Sequence, residues 1–369
     1  MKIVTRLIII SVVILILASC GIIPTLLLRI PLDPIGLKVP VAWGDAFEIF
    51  VTVDRLPVSI PILNPVDTAM PVKLRMSIPG YSGELNPDSL LLFEDGRAQG
   101  FVLLKETEVR IGVDIVFLVD ITGSMGTEIQ GVKDSMTDFL NDLATAGIDV
   151  KVGIVPYGDY VPADPTTSDN IGFTPSYLGL VSPTEAASYT QQLAAGWGAD
   201  GPENAYGAIM FAWNNMAWRP GSQRMFIMLT DAFSHYTGDQ PVTIAWPNGY
   251  DPSNDFNPKY TKADVLSAIL GYATFHIIAS TGDYYYTTDT DFSHPGDPRE
   301  IADLTGGLII YQDPLGEPDL SSIGITEYIL SSWLVFFETR SYDDPHNLDL
   351  YIELPDTSQG QKHLFGVTY

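Results

Sequence analysis

The run Asp120-Ile121-Thr122-Gly123-Ser124 places one carboxylate and two hydroxyls side by side, directly after Val113 to Val119, an apolar stretch broken only by Asp114. Hard divalent cations take oxygen ligands, and Mg2+ in particular wants near-octahedral geometry with some waters retained. Two hydroxyls and few direct carboxylates would leave such an ion electrophilic, with a position open to an acidic group from outside. Asp231, just after the apolar run Met225 to Leu229, is a second carboxylate that follows a strand-like segment. If both runs are strands of one parallel sheet, Asp120 and Asp231 lie at the same end of it. Their mutual repulsion would then be costly without a cation. A plainer reading makes Asp120 a helix cap and Thr122 and Ser124 turn formers. It accounts for one loop and leaves the convergence unexplained.

These residues need a scaffold that brings them together. Val113 to Val119 has the character of a strand buried on both faces of a parallel sheet, and Val150 to Val155, Met225 to Leu229, Thr274 to Ala279 and Leu308 to Tyr311 repeat it. Helical patterns alternate with them. The longest sets Met125, Ile129, Val132, Met136, Phe139, Leu140 and Leu143 on one face and stops at Gly147. Others fall near 184–195, 203–217, 261–270, 297–304 and 321–334. This alternation predicts an α/β domain over 112–335, built on a doubly wound, mainly parallel sheet whose ligands bind beyond the carboxyl ends of its strands.

The flanks read differently. Phe47, Ile49, Val51 and Val53 alternate with their neighbours, as do Val72, Leu74, Met76 and Ile78. Ser89 to Phe93 leads into the turn signal Glu94-Asp95-Gly96, and 101–111 reads as another strand. Beyond 335, Leu348, Leu350, Ile352 and Leu354 alternate again and 363–369 is strand-like. A few C-terminal strands cannot bury a face alone. Residues 336–369 are therefore expected to complete a small β-sandwich begun by 46–111, with the α/β domain inserted between the two parts.

In this setting the run Asp120 to Met125 resembles the metal-ion-dependent adhesion site of von Willebrand factor A domains. Asp200-Gly201-Pro202-Glu203, with Asn204 and Tyr206-Gly207-Ala208-Ile209, and Met228-Leu229-Thr230-Asp231-Ala232-Phe233-Ser234-His235 resemble the matching loops of integrin β-subunits. All three occur in the family's order, within a segment of roughly three fifths of the chain. The resemblance implies that Thr122, Ser124 and Glu203 ligate the ion directly, Mg2+ with Mn2+ as an alternative, and that Asp120 and Asp231 act largely through water. It also implies neighbouring cation sites that would take Ca2+. One would use Asp200, the carbonyl of Pro202 and the second oxygen of Glu203, with Asp159 or Asp164, although Gly198 stands where the family has an amide side chain. The other would use Glu128, although Thr127 stands where the family has an acid.

Composition narrows the class of partner. The 369 residues are 46% hydrophobic, enough for packed cores, and carry a formal net charge of -26. Such an acidic chain repels nucleic acid backbones. Lys2 and Arg6 precede an apolar stretch, Leu7 to Ala18, too short to span a membrane as a helix, which needs about 20 residues. This is the layout of a secretory signal peptide over residues 1–19. The run Leu17-Ala18-Ser19-Cys20-Gly21 resembles the lipobox of bacterial lipoproteins, in which the thiol is lipidated. The resemblance implies a protein outside the cytoplasm, held to a membrane of the cell envelope by lipid on Cys20. Cys20 is the chain's one cysteine, so disulfides play no part. The Pro-rich residues 20–45 read as a tether.

Three functions compete on this sequence. The first is a lipid-anchored adhesion module whose protein partner offers an exposed Asp or Glu to the cation. The second is a structural envelope component with a purely stabilising metal. The third is a metal-dependent hydrolase. The last finds no matching nucleophile and base, His235 being the one histidine near the site in sequence, so no enzyme activity is expected. Asp283, Asp289 and Asp291 could bind Ca2+ but read better as a solvated loop, and Trp197 and Trp213 read as packing residues rather than a carbohydrate platform. The long 236–260 segment, which leaves the third metal loop, would shape a partner surface or merely decorate it.

Overall fold

A computed structural model of the chain describes residues 28–58, 62–63, 70–81, 83–158, 177–196, 201–239, 258–281, 286–313 and 316–369. Before the first apolar strand run β1 (Leu28–Arg29), β2 (Phe50–Val53), β3 (Ile62–Leu63), β4 (Met70–Ser77), β5 (Leu90–Glu94), β6 (Arg97–Ala98), β7 (Phe101–Lys105) and a short helix α1 (Glu106–Val109). Then follow β8 (Val113–Asp120), α2 (Gly126–Thr145), β9 (Val150–Tyr157), β10 (Leu178–Val181), α3 (Pro183–Thr190), α4 (Ala205–Asn215), β11 (Gln223–Thr230), α5 (Lys262–Ile269), β12 (Thr274–Ser280), α6 (Arg299–Thr305), β13 (Ile309–Gln312) and α7 (Ile325–Leu330). Three strands close the chain: β14 (Ser332–Thr339), β15 (His346–Glu353) and β16 (Gln359–Val367).

The central sheet has the order β10-β9-β8-β11-β12-β13. Every pairing in it is parallel except β10 with β9 at one edge. Burial on both faces explains why Val113 to Val119 of β8 is apolar apart from Asp114. Val113, Ile115, Phe117 and Val119 pack with α2, α3 and α7 on one face, while Val116 and Leu118 meet α4, α5 and α6 on the other. The long helix α2 turns its Ile129, Val132, Met136, Phe139 and Leu143 stripe onto the first of these cores.

The sandwich joins two four-stranded antiparallel sheets, β2-β4-β14-β7 and β16-β15-β5-β6. Ile49, Val51, Val72, Leu74 and Met76 from the front of the chain share one core with Trp333, Val335, Phe337, Leu348, Leu350 and Ile352 from its end. The α/β unit is therefore an insertion between strands of one sandwich. The β5–β6 hairpin turns at Asp95 and Gly96, both at positive φ.

Three local expectations are corrected. The helix placed near 321–334 is confined to Ile325–Leu330, and Ser332–Thr339 is a strand between β4 and β7. Trp333, Val335 and Phe337 face the sandwich core while Leu334 and Phe336 pack with Ile30 and Val109, so an all-apolar run hides its two-residue period. The sandwich thus resumes at Ser332 rather than after 335. The strand drawn through 101–111 ends at Lys105, where α1 begins. Finally, the described part of the supposed tether is fastened to the sandwich: Ile30 is buried, and the Trp43 Nε1–H donates to the Ile352 carbonyl at 3.3 Å. Among the described residues no helix is long and apolar enough to cross a membrane.

Candidate functional site

Asp120 is the last residue of β8, and the register pairs it with Tyr157 at the end of β9. On the other side β11 runs parallel with Leu229 opposite Val119, so Thr230 and Asp231 emerge at the same edge. Glu203 comes from the loop before α4. The Glu203 N–H donates to the Phe233 carbonyl at 2.8 Å, and the His235 N–H donates to the Glu203 carbonyl at 2.7 Å. This single parallel bridge, Glu203 with Ser234, stitches the second loop to the third. The Asn204 N–H binds the Gly158 carbonyl at 2.8 Å, and the Asn204 side chain caps α4 by accepting from the Gly207 N–H at 3.1 Å. The three acidic residues that the sequence brought forward thus lie on three adjoining loops at the carboxyl edge of the sheet.

The Asp120 carboxylate is sealed from solvent. Its Oδ1 accepts from the Thr122 N–H at 3.0 Å and from Thr122 Oγ1 at 2.7 Å, and its Oδ2 accepts from Thr230 Oγ1 at 2.8 Å. Thr122 Oγ1 lies 3.5 Å from Ser124 Oγ. Ser124 is exposed, Thr122 and Glu203 are buried, and Asp231 is half-buried, so the cluster opens outward through Ser124. Gly123 keeps its loop close to the next one: a Cβ there would sit 3.0 Å from the Gly196 carbonyl oxygen.

Burial, and next the Asp231 charge, push the Asp120 carboxyl up to about 7, against the pull of its threonine hydrogen bonds. Burial and then Asp120 raise the Tyr157 hydroxyl, with Glu203 and Asp231 adding to the effect. Tyr157, at the end of β9, is therefore within electrostatic reach of all three carboxylates. Glu128, in the first turn of α2, is raised chiefly by burial and slightly by Asp231. Its Oε1 accepts from Ser280 Oγ at 2.6 Å, and its Oε2 is buried with no hydrogen-bond partner among the described residues.

Among the described residues no three His, Cys, Asp or Glu side chains come together as a metal site by themselves. Beside the carboxylates, the described donors available to a cation here are the Thr122 and Ser124 hydroxyls, with water completing its shell. That donor set suits a hard ion that keeps part of its hydration shell. The residues present fit such an ion. They offer hydroxyl oxygens, a buried carboxylate in Glu203, and two more carboxylates, Asp120 and Asp231, whose neighbouring charges are relieved by a positive one.

Other expected positions divide. Cys20, Asp159, Asp164, Trp197, Gly198, Asp200, Asp283 and most of 236–260 lie outside the described residues. Pro202 is half-buried beside Glu203. The His235 ring is buried with Nδ1 2.8 Å from Asp239 Oδ2, a structural contact. Trp213 stacks near Trp218, with the Arg224 guanidinium 5.4 Å from its ring, which is packing. Asp289 accepts from the Asp291 N–H at 3.1 Å and faces Arg299 at 3.5 Å, as a self-contained turn does. Three contributors were not singled out from sequence. Thr230 holds Asp120, Ser280 holds Glu128, and Ser234 accepts from the Tyr206 N–H at 2.9 Å to fix the start of α4. Thr230 was signalled in principle as a polar residue ending an apolar strand; Ser280 becomes relevant once β12 is known to pass the first turn of α2.

No family model matches the chain. Over 167 residues it is 30% identical to the alpha-protein kinase vwkA of Dictyostelium discoideum, covering 45% of this chain and 25% of the kinase. It is 26% identical over 186 residues to integrin beta-1 of Gallus gallus, covering 45% of this chain and 23% of the integrin. With integrin beta-1-A of Xenopus laevis the identity is 25% over 191 residues, or 46% of this chain and 24% of the integrin. The chain spans about a quarter of the length of these curated relatives. Two solved structures align loosely. One is proximal thread matrix protein 1 from the mussel byssus, with a zinc-occupied MIDAS motif (TM-score 0.38, 12% identity, 63% of this chain, 49% of that one). The other is the pilus adhesin SpaC from Lactobacillus rhamnosus GG (TM-score 0.36, 13% identity, 89% of this chain, 48% of that one). The chain is thus a distant relative of integrin beta-1 and of vwkA over less than half its length.

Proposed function

We propose that the carboxyl edge of the central sheet holds a divalent cation, Mg2+ by preference, and that the protein is a binding module whose partner completes the cation's shell with an Asp or Glu carboxylate. Thr122, Ser124 and Glu203 would hold the ion directly, with Asp120 and Asp231 acting through water. The observation that carries this reading is the state of Asp120. It is fully buried beside Asp231, and its described hydrogen-bond donors are the neutral Thr122 and Thr230. A bound cation supplies the missing positive charge and becomes the largest local charge of the site. The exposed Ser124 side favours partner binding over a purely stabilising metal, because an ion ligated there keeps a face toward solvent.

In this proposal the protein is an adhesion module of the bacterial envelope, lipidated on Cys20, and not an enzyme. A neighbouring Ca2+ at Glu128, or at Pro202 with Asp159 and Asp200, belongs to the same proposal. The distant similarity to integrin beta-1 supports the adhesive reading.

A thermal melt of the full chain tests the core of it. EDTA-treated protein is titrated with Mg2+, Mn2+ or Ca2+, alongside Asp120→Ala. At about 100 times its dissociation constant, a cation that binds the native state adds about 2.7 kcal/mol of stability. The gain is expected in the wild type and absent in the variant. Equal melting curves with and without every cation overturn the metal reading. Hydrolysis of any ester or phosphate lost in Asp120→Ala overturns the non-enzymatic one.

A further inference from the structure

Four large apolar side chains between residues 32 and 41 stand in solvent: Leu32 at 74% exposure, Leu37 at 42%, and Ile35 and Val41 completely. Scattered exposed apolar residues are ordinary, but four within ten residues of chain are a concentration that points to an interaction. This group is not slack chain. Ile30 is buried against Leu334 and Phe336, and Val39 and Trp43 pack on Phe93 and Tyr351. Asp33 Oδ1 accepts from the Gly100 N–H at 3.2 Å, while its Oδ2 pairs with Arg97 at 2.7 Å. The approach is close enough to demand glycine: a Cβ on Gly100 would lie 2.2 Å from the Pro31 carbonyl oxygen. The Gly44 N–H binds Gln359 Oε1 at 3.1 Å, and Gly36, at φ 82°, turns the segment at its tip. A rigid ridge results, with Ile30, Val39 and Trp43 facing the sandwich and Leu32, Ile35, Leu37 and Val41 facing outward.

Two features say what covers this ridge. It begins 12 residues after Cys20, the residue proposed above to carry lipid. It is also neutral within a chain of net charge -26. Between residues 30 and 44 the charged side chains are Asp33, already paired with Arg97, and the exposed Lys38. Most of this molecule's surface is repelled by an anionic bilayer, and this ridge is not. Apolar side chains with a flanking cation are what an interfacial lipid contact requires.

We infer that residues 32–41 rest in the headgroup region of the bilayer and dock the sandwich against the membrane, instead of leaving it free on a tether. This rests on the reading of the N-terminus as membrane-attached. Depth-dependent quenching tests both steps. Full-length Ile35→Cys, Val41→Cys and, as a distant control, Gln130→Cys are labelled with a small fluorophore. They are reconstituted into vesicles of phosphatidylethanolamine and phosphatidylglycerol carrying bromine high on the acyl chain. The wild type, labelled in parallel, reports any signal from Cys20. Cosedimentation with the vesicles, and quenching at 35 and 41 several-fold above that at 130, is expected. Cosedimentation with equal quenching at all three positions overturns the docked ridge and leaves the attachment standing. Failure to cosediment overturns both.

Discussion

At one end of β8, where the sandwich meets the inserted sheet, Asp54 lies buried between cations. It pairs with Arg110 at 2.5 Å and Lys73 at 2.8 Å, and Arg110 also reaches Glu106 at 2.5 Å. At the other end Asp120 lies equally buried, yet beside another carboxylate and neutral threonines. Burial pushes both carboxyls up. For Asp54 the charges of Arg110, Lys73 and Arg75 outweigh it and hold the group below the usual carboxylate range. For Asp120 the described residues oppose it only with hydrogen bonds from Thr122 and Thr230, and the group rises to about 7. The same residue type, equally buried, serves as a structural tie where the fold supplies the counter-charge. Where the described residues supply none, the same residue type is the one on which the proposed cation site rests.

Removing the counter-charge at the first end should produce the largest effect. Arg110→Ala leaves Asp54 and Glu106 buried without their main cation and should cost about 3–5 kcal/mol. Asp120→Asn keeps the shape of the site and removes a repulsion, so in EDTA it should melt no lower than the wild type. If denaturant titrations show both variants destabilised alike, the contrast between the two clusters is broken. The cation-dependent gain of about 2.7 kcal/mol comes next. It should vanish in Asp120→Asn and survive a milder change in the sandwich, such as His363→Gln.

Acid and base should also separate the two units. His276, in β12, is fully buried, with Nδ1 accepting from the Leu308 N–H at 3.0 Å. Burial, and then Arg75, depress it from 6.5 to about 3. The unfolded chain therefore binds the extra proton between those values, and stability falls as pH drops through that window, by at most about 1.4 kcal/mol per pH unit. His346, in β15, is raised instead. Burial lowers it, but the hydrogen bonds to Asp95 and the Ser341 carbonyl prevail. Its contribution is complete below pH 6.5 and is lost as pH climbs through its folded value. Melts from pH 4 to 8 on His276→Gln and His346→Gln should flatten the acid limb in the first variant and the alkaline limb in the second. The smallest effect belongs to Thr230→Val, which removes one donor from Asp120. A loss of about 1 kcal/mol is expected, together with weaker cation binding in the same melt; unchanged binding would mean Thr230 does not position Asp120.

The sequence carried much of this in its periods. Runs such as Val113 to Val119 and the stripe of α2 encode burial on two faces and on one, so the α/β alternation was legible. Ser332–Thr339 was not, because a strand packed on both faces shows no alternation and borders a true helix turn. The antiparallel edge strand β10 was missed for another reason: four residues, half-buried throughout, leave too short a signal.

Asp120 was named from local sequence, because a strand's end fixes where its next side chain goes, and Glu203 and Asp231 were named from the resemblance of their loops. Order along the chain likewise implied the insertion of the sheet within the sandwich. Tertiary structure decided which carboxylate is neutralised and which, among the described residues, meets no counter-charge. Asp54 meets Arg110 across 56 residues, Glu128 meets Ser280 across 152, and Thr230 meets Asp120 across 110. No local pattern encodes those distances, because a charge's fate depends on what packing brings within reach of it.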